Sequence, residues 1–330
     1  MAKSHNSKAE VRSKPTPGNN GRFAVAILAA GKGTRLKSRY PKVLHHVGGK
    51  SLLAHVVAAA TRLCPAQDVY AIIGHDAERV KEAMAGSGIG FILQEEQRGT
   101  GHALMVGESV LSQYDHVLVL YGDVPLISPA TLERLRDYHL QQGSVMTVLT
   151  AVMEKPYGYG RIIFRNVGRE VKAIVEEKSL SPSQRELKEI NAGFYAFATK
   201  PLFRDIRELG TDNKHHEYYL TDMADILAKA GEKVVALQAP DAHEVQGCNT
   251  RQELAEVDAE LRMKKCQQLM DSGVTIYQPQ SCVIDSDVTV GADTVIEPFV
   301  HLLGATRIGA ECRIRSYSVI INCELGDGVL

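Results

Sequence analysis

The chain has 330 residues, 44% of them apolar and 23% charged, with a formal net charge of −1; this is the balance of an ordinary globular protein, with length enough for two domains. Near-neutrality excludes a global field that would gather nucleic acid or an anionic membrane, and no run approaches the ~20 apolar residues of a membrane span. The six cysteines show neither CxxC spacing nor a histidine at metal-ligand distance, as expected of free thiols in a reducing compartment.

Residues 1–22, MAKSHNSKAEVRSKPTPGNNGR, are polar, basic and turn-rich and lack the apolar stretch of a secretory signal, so a disordered tail on a cytoplasmic protein is expected. The apolar run from Phe23 to Ala30 then reads as a buried strand of a parallel sheet, ending at Gly31 and Gly33. Two glycines let backbone N–H groups approach an anion, and Lys32, Arg35, Lys37, Arg39 and Lys42 surround them with positive charge. A nucleoside triphosphate fits this turn; the alternative is a basic surface turn after a core strand. A dinucleotide fingerprint is excluded because Leu36 stands where its third glycine belongs, and a P-loop because Leu44 stands five positions before Gly49-Lys50-Ser51.

Ser51 caps a helix with Leu52, Leu53, Val56, Val57, Ala60 and Leu63 at helical spacing. Strands are predicted at 69–73, 90–94 and 117–121, with helices near 77–85 and 101–114 between them, which implies a parallel sheet covered on both faces. Ligands of such sheets sit beyond the carboxyl ends of the strands. At one such end QEEQRGTGHA offers the Gln94 amide, which donates and accepts, and the flexible backbone of Gly99, Thr100 and Gly101 for a planar base edge. A plain loop with a threonine cap is the alternative. At another, VLVLYGDVPLI delivers Asp123 after Tyr121 and Gly122; the glycine permits close approach to a ligand, and the carboxylate suits Mg²⁺ or merely a turn.

A capped amphipathic helix follows at 128–142 and a strand at 144–153. Short alternating segments, GYGRIIFRN, VKAIVEEK and INAGFYAF, then mark a hairpin-rich insertion of the kind that selects a substrate. Gly160, Glu176 and Asn191 there suit the hydroxyl and acetamido groups of a sugar, or are solvent-facing polar residues. A helix is predicted at 200–209, another from Thr221, and a strand at 234–239. The pairs His45-His46 and His215-His216 are assigned to surface loops, since adjacent histidines lack the i, i+4 metal pattern.

The helix from Arg251 carries a stripe of Leu254, Val257, Leu261 and Leu269 and ends at Gly273. Beyond it Ile284, Val290, Ile296, Leu302, Ile308, Ile314 and Ile320 recur every sixth residue, the signature of a parallel β-helix, here of about two coils.

LAAGKGTRL followed by PKVLH resembles the signature of the sugar-1-phosphate nucleotidyltransferases. QEEQRGTGHA, GYGRI, IVEEK, EINAGFY, EYYLTD and GCNTR, in that order, resemble the N-acetylglucosamine-1-phosphate uridylyltransferases of the bifunctional bacterial type. The resemblance covers residue 23 to the end. It implies a Rossmann-like, GT-A-like α/β domain over 23–250, a connector helix over 251–273 and the start of a left-handed hexapeptide β-helix over 274–330. It further implies Mg²⁺-dependent transfer of UMP from UTP to N-acetylglucosamine 1-phosphate, giving UDP-N-acetylglucosamine and pyrophosphate for cell-wall precursors. Arg35 and Lys42 would be catalytic, and Asp123 and Asn249 would hold the metal. Leu28, Ala29, Ala30, Gly31, Lys42, Gln94, Gly99, Thr100, Tyr121, Gly122, Asp123, Gly160, Glu176, Asn191, Thr221 and Asn249 would bind substrate, with Tyr218 and Tyr219 bordering the sugar. No general base is needed, because the attacking phosphate oxygen is already ionised. Cys248 replaces the family's usual valine and Arg98 occupies a variable position. The family's β-helix trimerises and carries an acetyltransferase; a homotrimer is expected if enough coils are present, and acetyl transfer is expected to be absent. Transfer to another sugar phosphate or from another base, and a non-catalytic sugar-nucleotide sensor or β-helix scaffold, are the rivals.

Overall fold

A computed structural model of the protein describes residues 21–165 and 168–330; the tail assigned to 1–22 lies, up to residue 20, outside the described residues. The chain opens with strand β1 (Phe23–Ala29). A short hairpin, β2 (His46–Val47) and β3 (Lys50–Ser51), leads into helix α1 (Leu52–Ala60), whose first turn is capped by the Ser51 side chain accepting from the Ala54 N–H. Strand β4 (Val69–Ile73), helix α2 (Ala77–Ala83) and strand β5 (Gly90–Leu93) follow. Helices α3 (Thr100–Val106) and α4 (Glu108–Leu111) replace the single helix expected at 101–114, because the chain breaks at Gly107. Next come strand β6 (His116–Tyr121), helix α5 (Pro129–Gln142), capped by Ser128, and strand β7 (Met146–Val152).

The insertion consists of strands β8 (Arg161–Phe164) and β9 (Val171–Val175) and a one-turn helix α6 (Pro182–Arg185); INAGFYAF, assigned to it from the sequence, is instead part of the long strand β10 (Glu189–Ala198), which lies inside the main sheet between β7 and β6. Helices α7 (Thr199–Asp205) and α8 (Met223–Lys229), strand β11 (Val234–Gln238) and the connector helix α9 (Arg251–Asp271) complete this part. The main sheet runs β11-β7-β10-β6-β1-β4-β5, with β8 attached to β10 and β9 to β8. It is mixed and not purely parallel: β10 runs antiparallel to both β6 and β7. The carboxyl ends of β1, β5 and β6 nevertheless point the same way, since β1 is parallel to β4 and β6, and β4 to β5.

Alternation along β1 builds two cores. Val25, Ile27 and Ala29 pack with Leu53, Val56 and Leu132 on one face, and Ala24 and Ala26 with Leu104, Leu111 and Leu202 on the other, as period-two side-chain placement requires. Between sheet and α5 lies a buried polar knot. His139, 1% exposed, has Nε2 3.1 Å from His116 Nδ1 and Nδ1 2.9 Å from Thr147 Oγ1. Burial, then the neighbouring His116, push the His139 pKa down to about 3. The unfolded chain therefore takes up a proton near pH 6.5 that the folded chain refuses, and stability falls as pH drops through that window. Between pH 6.5 and 5 the loss is about 2 kcal/mol. His139→Gln should flatten that slope in urea titrations at the two pH values; an unchanged slope would contradict the assignment.

The tail forms three sheets of three parallel strands, a β-helix of three coils where the sequence suggested two. Residues 283 and 284 pair with 301 and 302, and those with 319 and 320, an eighteen-residue coil; on the other faces Ile276 pairs with Ile296 and Ile308 with Leu325, so the first turn is longer and the last shorter. Ile284, Ile296, Leu302, Ile308 and Ile314 are buried in its interior; Val290 and Ile320 are partly buried. Helix α9 closes one end with Cys266 and Leu269, so the buried cysteine joins the stripe read from the sequence. The β2–β3 hairpin grips the same region: Ser286 donates from its backbone N–H to the Gly48 carbonyl at 2.9 Å, and the Gly48 N–H donates to Asp258 at 2.7 Å. Gly49 has φ +85, and a Cβ there would run into the carboxyl of Asp285. That carboxyl is fixed by Arg262 at 2.8 Å and the Gly304 N–H at 2.7 Å. Gly49→Ala should therefore cost about 2 kcal/mol in urea unfolding; a cost below 0.5 kcal/mol would show that the hairpin can lift away.

Candidate active site

The cleft opens at the carboxyl ends of β1, β5 and β6 and has a volume of about 340 Å³. Leu28, Ala29, Ala30, Gly31, Arg35, Lys42, Gln94, Gly99, Thr100, Tyr121 and Asp123 line it, so eleven residues singled out from the sequence face one space. Gly33 and Thr34 complete the turn, and Gln97, Ala103, Val43 and Glu217 also line it. Of the two turn glycines, Gly33 carries the left-handed backbone, φ +62, and a Cβ there would strike that of Lys42. The turn thus rests against the lysine that reaches across it.

Lys42 Nζ donates to Asp123 Oδ2 and, at 2.6 Å, to Asn249 Oδ1. Arg35 Nη2 donates to the same Asn249 oxygen, also at 2.6 Å. Asp123 and Asn249 come from segments far apart in the chain, and the Cys248 N–H bound to the Asp123 carbonyl at 2.9 Å joins them. Asn249 is set by the start of α9, where Thr250 and Glu253 form a capping box and Glu253 Oε2 also accepts from the Asn249 N–H at 2.6 Å. Arg251 donates to the Leu36 carbonyl at 3.2 Å, so the turn and the connector helix hold each other. The Cys248 thiol is packed with Leu36, Val47 and Leu52. Burial and the nearby Asp123 push its pKa up to about 12, so it serves as an apolar filler where the resemblance implied valine.

Gly122 sits between Tyr121 and Asp123, which both line the cleft. It is buried, and a Cβ there would lie 3.2 Å from the Leu28 carbonyl and 3.3 Å from both Leu53 and Val43. The close approach is to the chain's own first strand.

Gly160, Glu176, Asn191 and Thr221 form a second cluster, apart from the residues that line the cleft. The Asn191 N–H donates to the Gly160 carbonyl at 2.9 Å, and the Thr221 hydroxyl donates to Glu176 Oε1 at 2.9 Å. Thr221 is 4% exposed and supports Glu176 from behind. Burial raises the Glu176 pKa, against the pull of the Thr221 hydrogen bond and His215. Asp222 next to it is pushed up to about 6 by burial, then by Glu176 and Asp225. Asn191 donates from Nδ2 to the Tyr195 hydroxyl at 2.7 Å and accepts from the Gly193 N–H at 3.0 Å. A Cβ on Gly193 would touch the Tyr121 ring, which places this cluster beside the cleft wall. His46, His215 and His216 are exposed and His45 partly so, and no cluster of three metal-capable side chains occurs among the described residues.

Asp123 and Asn249 fit a divalent cation on one direct observation: a single ammonium nitrogen already touches an oxygen of each. Two oxygen donors so placed suit Mg²⁺, which takes few protein ligands and shares the rest with phosphates and water.

A family model of the MobA-like NTP transferase domain matches residues 25–225, and one of the bacterial transferase hexapeptide (six repeats) matches 287–322. The bifunctional protein GlmU of Koribacter versatilis is 58% identical over 313 residues, 94% of this chain and 67% of that protein. The bifunctional protein GlmU of Solibacter usitatus is 44% identical over 306 residues, 92% of this chain and 66% of that protein. The chain thus spans about two thirds of the length of these relatives. A solved UDP-glucose pyrophosphorylase complexed with UDP-glucose superposes with a TM-score of 0.57 at 18% identity, covering 74% of this chain and 99% of that one; likeness at that identity concerns the fold alone. With a nucleotidyltransferase domain and hexapeptide coils in the same order, and identity sustained over nearly its whole length, this chain belongs to the GlmU family.

Proposed function

We propose that the protein transfers UMP from UTP to N-acetylglucosamine 1-phosphate, forming UDP-N-acetylglucosamine and releasing pyrophosphate. The observation that carries the proposal is the meeting of a cationic glycine turn, a base-reading amide and an Asp–Asn oxygen pair around one cleft. An oxygen of the sugar phosphate attacks the α-phosphorus in line and the bond to the β-phosphate oxygen breaks, so atoms and charge balance without a general base. Positioning and charge neutralisation then dominate catalysis. Arg35 and Lys42 leave Asn249 and Asp123 to contact the phosphates, and the strand end at Leu28–Gly31 borders the nucleotide. Gly160, Glu176 and Asn191 present a carboxylate and an amide to the sugar, with Thr221 behind them. A bound Mg²⁺ would add positive charge beside the phosphates, held by Asp123 and Asn249.

The test is pyrophosphate release from UTP with N-acetylglucosamine 1-phosphate and magnesium, run beside glucose 1-phosphate and other nucleotides. Turnover with UTP and the acetamido sugar is expected; binding without turnover would favour the sensor, and preference for another pair a different transferase. Three copies associating through the coils belong to the same proposal. The stacked pair Phe299 and Tyr317, with ring centroids 5.3 Å apart, lies exposed on the outside of the coils and would be covered by such contact; sedimentation reports the state. No helix among the described residues is long and apolar enough to cross a membrane.

A further inference from the structure

Gln94 stands just beyond β5, 2% exposed, and lines the cleft. Its amide nitrogen donates to the Gly99 carbonyl at 3.1 Å and lies 3.1 Å from Nδ1 of His102. A backbone carbonyl only accepts, so the nitrogen and not the oxygen of the amide must face Gly99. The second amide hydrogen then points at His102, whose Nδ1 must accept and whose ring proton therefore sits on Nε2. Both donors of Gln94 are used in this way. Its Oε1 has no donor among the described residues.

His102 is itself held in place. Its ring stacks on Tyr218, with centroids 6.2 Å apart and planes 25° from parallel. The Arg98 guanidinium lies 5.0 Å from the other ring's centroid and donates to its hydroxyl at 3.2 Å. Backbone bonds from the Tyr218 N–H to Arg98 and from the Gly101 N–H to Tyr218, both 2.8 Å, join the two loops.

We infer that His102 is a positioning residue for base selection: by accepting from Gln94 it keeps the amide oxygen turned toward the base. An amide that presents only its oxygen takes a pyrimidine whose ring nitrogen carries a hydrogen, as in uracil. It repels cytosine, whose corresponding nitrogen bears a lone pair. The inference rests on the uridylyl-transfer proposal above and adds a residue and a direction of discrimination to it.

The experiment uses the full chain, His102→Leu and His102→Asn, with kcat and KM measured for UTP and CTP and thermal midpoints recorded. Leucine fills similar space without an acceptor, whereas an asparagine oxygen can stand where Nδ1 stood. His102→Leu should raise KM for UTP about tenfold with a smaller change in kcat and narrow the preference for UTP over CTP about tenfold; His102→Asn should keep most of that preference. An unchanged preference in His102→Leu, or equal loss in both variants, would overturn the inference. Equilibrium binding to the unaltered protein gives a result that depends on no variant folding: N3-methyluridine triphosphate, which lacks the ring hydrogen, should bind about tenfold or more weaker than UTP. Equal binding would overturn the inference too. Absence of turnover in the unaltered protein would instead sink the transferase proposal, and the binding comparison would still decide the role of the amide.

Discussion

Asp123→Asn is expected to reduce pyrophosphate release about a hundredfold or more, with UTP, the acetamido sugar phosphate and magnesium all saturating. The substitution keeps the size of the side chain and one oxygen, and removes the charge. That charge has two tasks in this cleft: it balances Lys42, and it is the only carboxylate of the oxygen pair formed with Asn249. An amide can still accept from the Lys42 ammonium, so folding should change by no more than about 1–2 kcal/mol. A loss of activity that matched a loss of folded protein would point to structure and not to catalysis. Turnover within threefold of the parent would remove Asp123 from the site.

Lys42→Met should give two effects of opposite sign. Turnover should fall about a hundredfold or more, because the cation that now bridges Asp123 and Asn249 no longer meets the phosphates. Affinity for a divalent ion measured without nucleotide should rise several-fold, because the ammonium that now joins Asp123 and Asn249 is gone and the carboxylate is unopposed. Mn²⁺ titration followed by electron paramagnetic resonance reads the second effect without reference to activity. A fall in both quantities would mean that Lys42 builds the oxygen pair and does not merely occupy it.

What the residues disclosed in advance and what they hid separate on physical grounds. Continuous apolar runs made β1, β4 and β6 visible, and the break at Gly31 with its surrounding cations marked the cleft. Strand β10 was visible as a strand but not as the reversed one. Its FYAF run is buried on both faces like its neighbours, and direction comes from the path of the chain, on which composition is silent. The first rung of the first coil escaped notice for a simpler reason: its inner Ile276 lies eight residues before Ile284, out of the six-residue register of the rest. Glu217 was missed because it enters the cleft through a loop that folds back; Asn213 donates to its carbonyl at 2.5 Å, and Tyr218 binds Arg98. Gln97 could have been found, being an amide in the same short motif as Gln94. Gly122 was legible as a place of close approach, and its missing side chain makes room for the Leu28 carbonyl, Leu53 and Val43, packing partners that sequence does not name.

The most direct measurement is a crystal structure of the protein with UTP and Mn²⁺, using anomalous scattering to locate the metal. The manganese peak should lie about 2.2 Å from oxygens of both Asp123 and Asn249. The phosphates should meet Arg35 and Lys42 at the Gly31–Gly33 turn, with the base against Gln94. A metal bound away from that oxygen pair, or a nucleotide seated outside the turn with both cations still on Asp123 and Asn249, would contradict it.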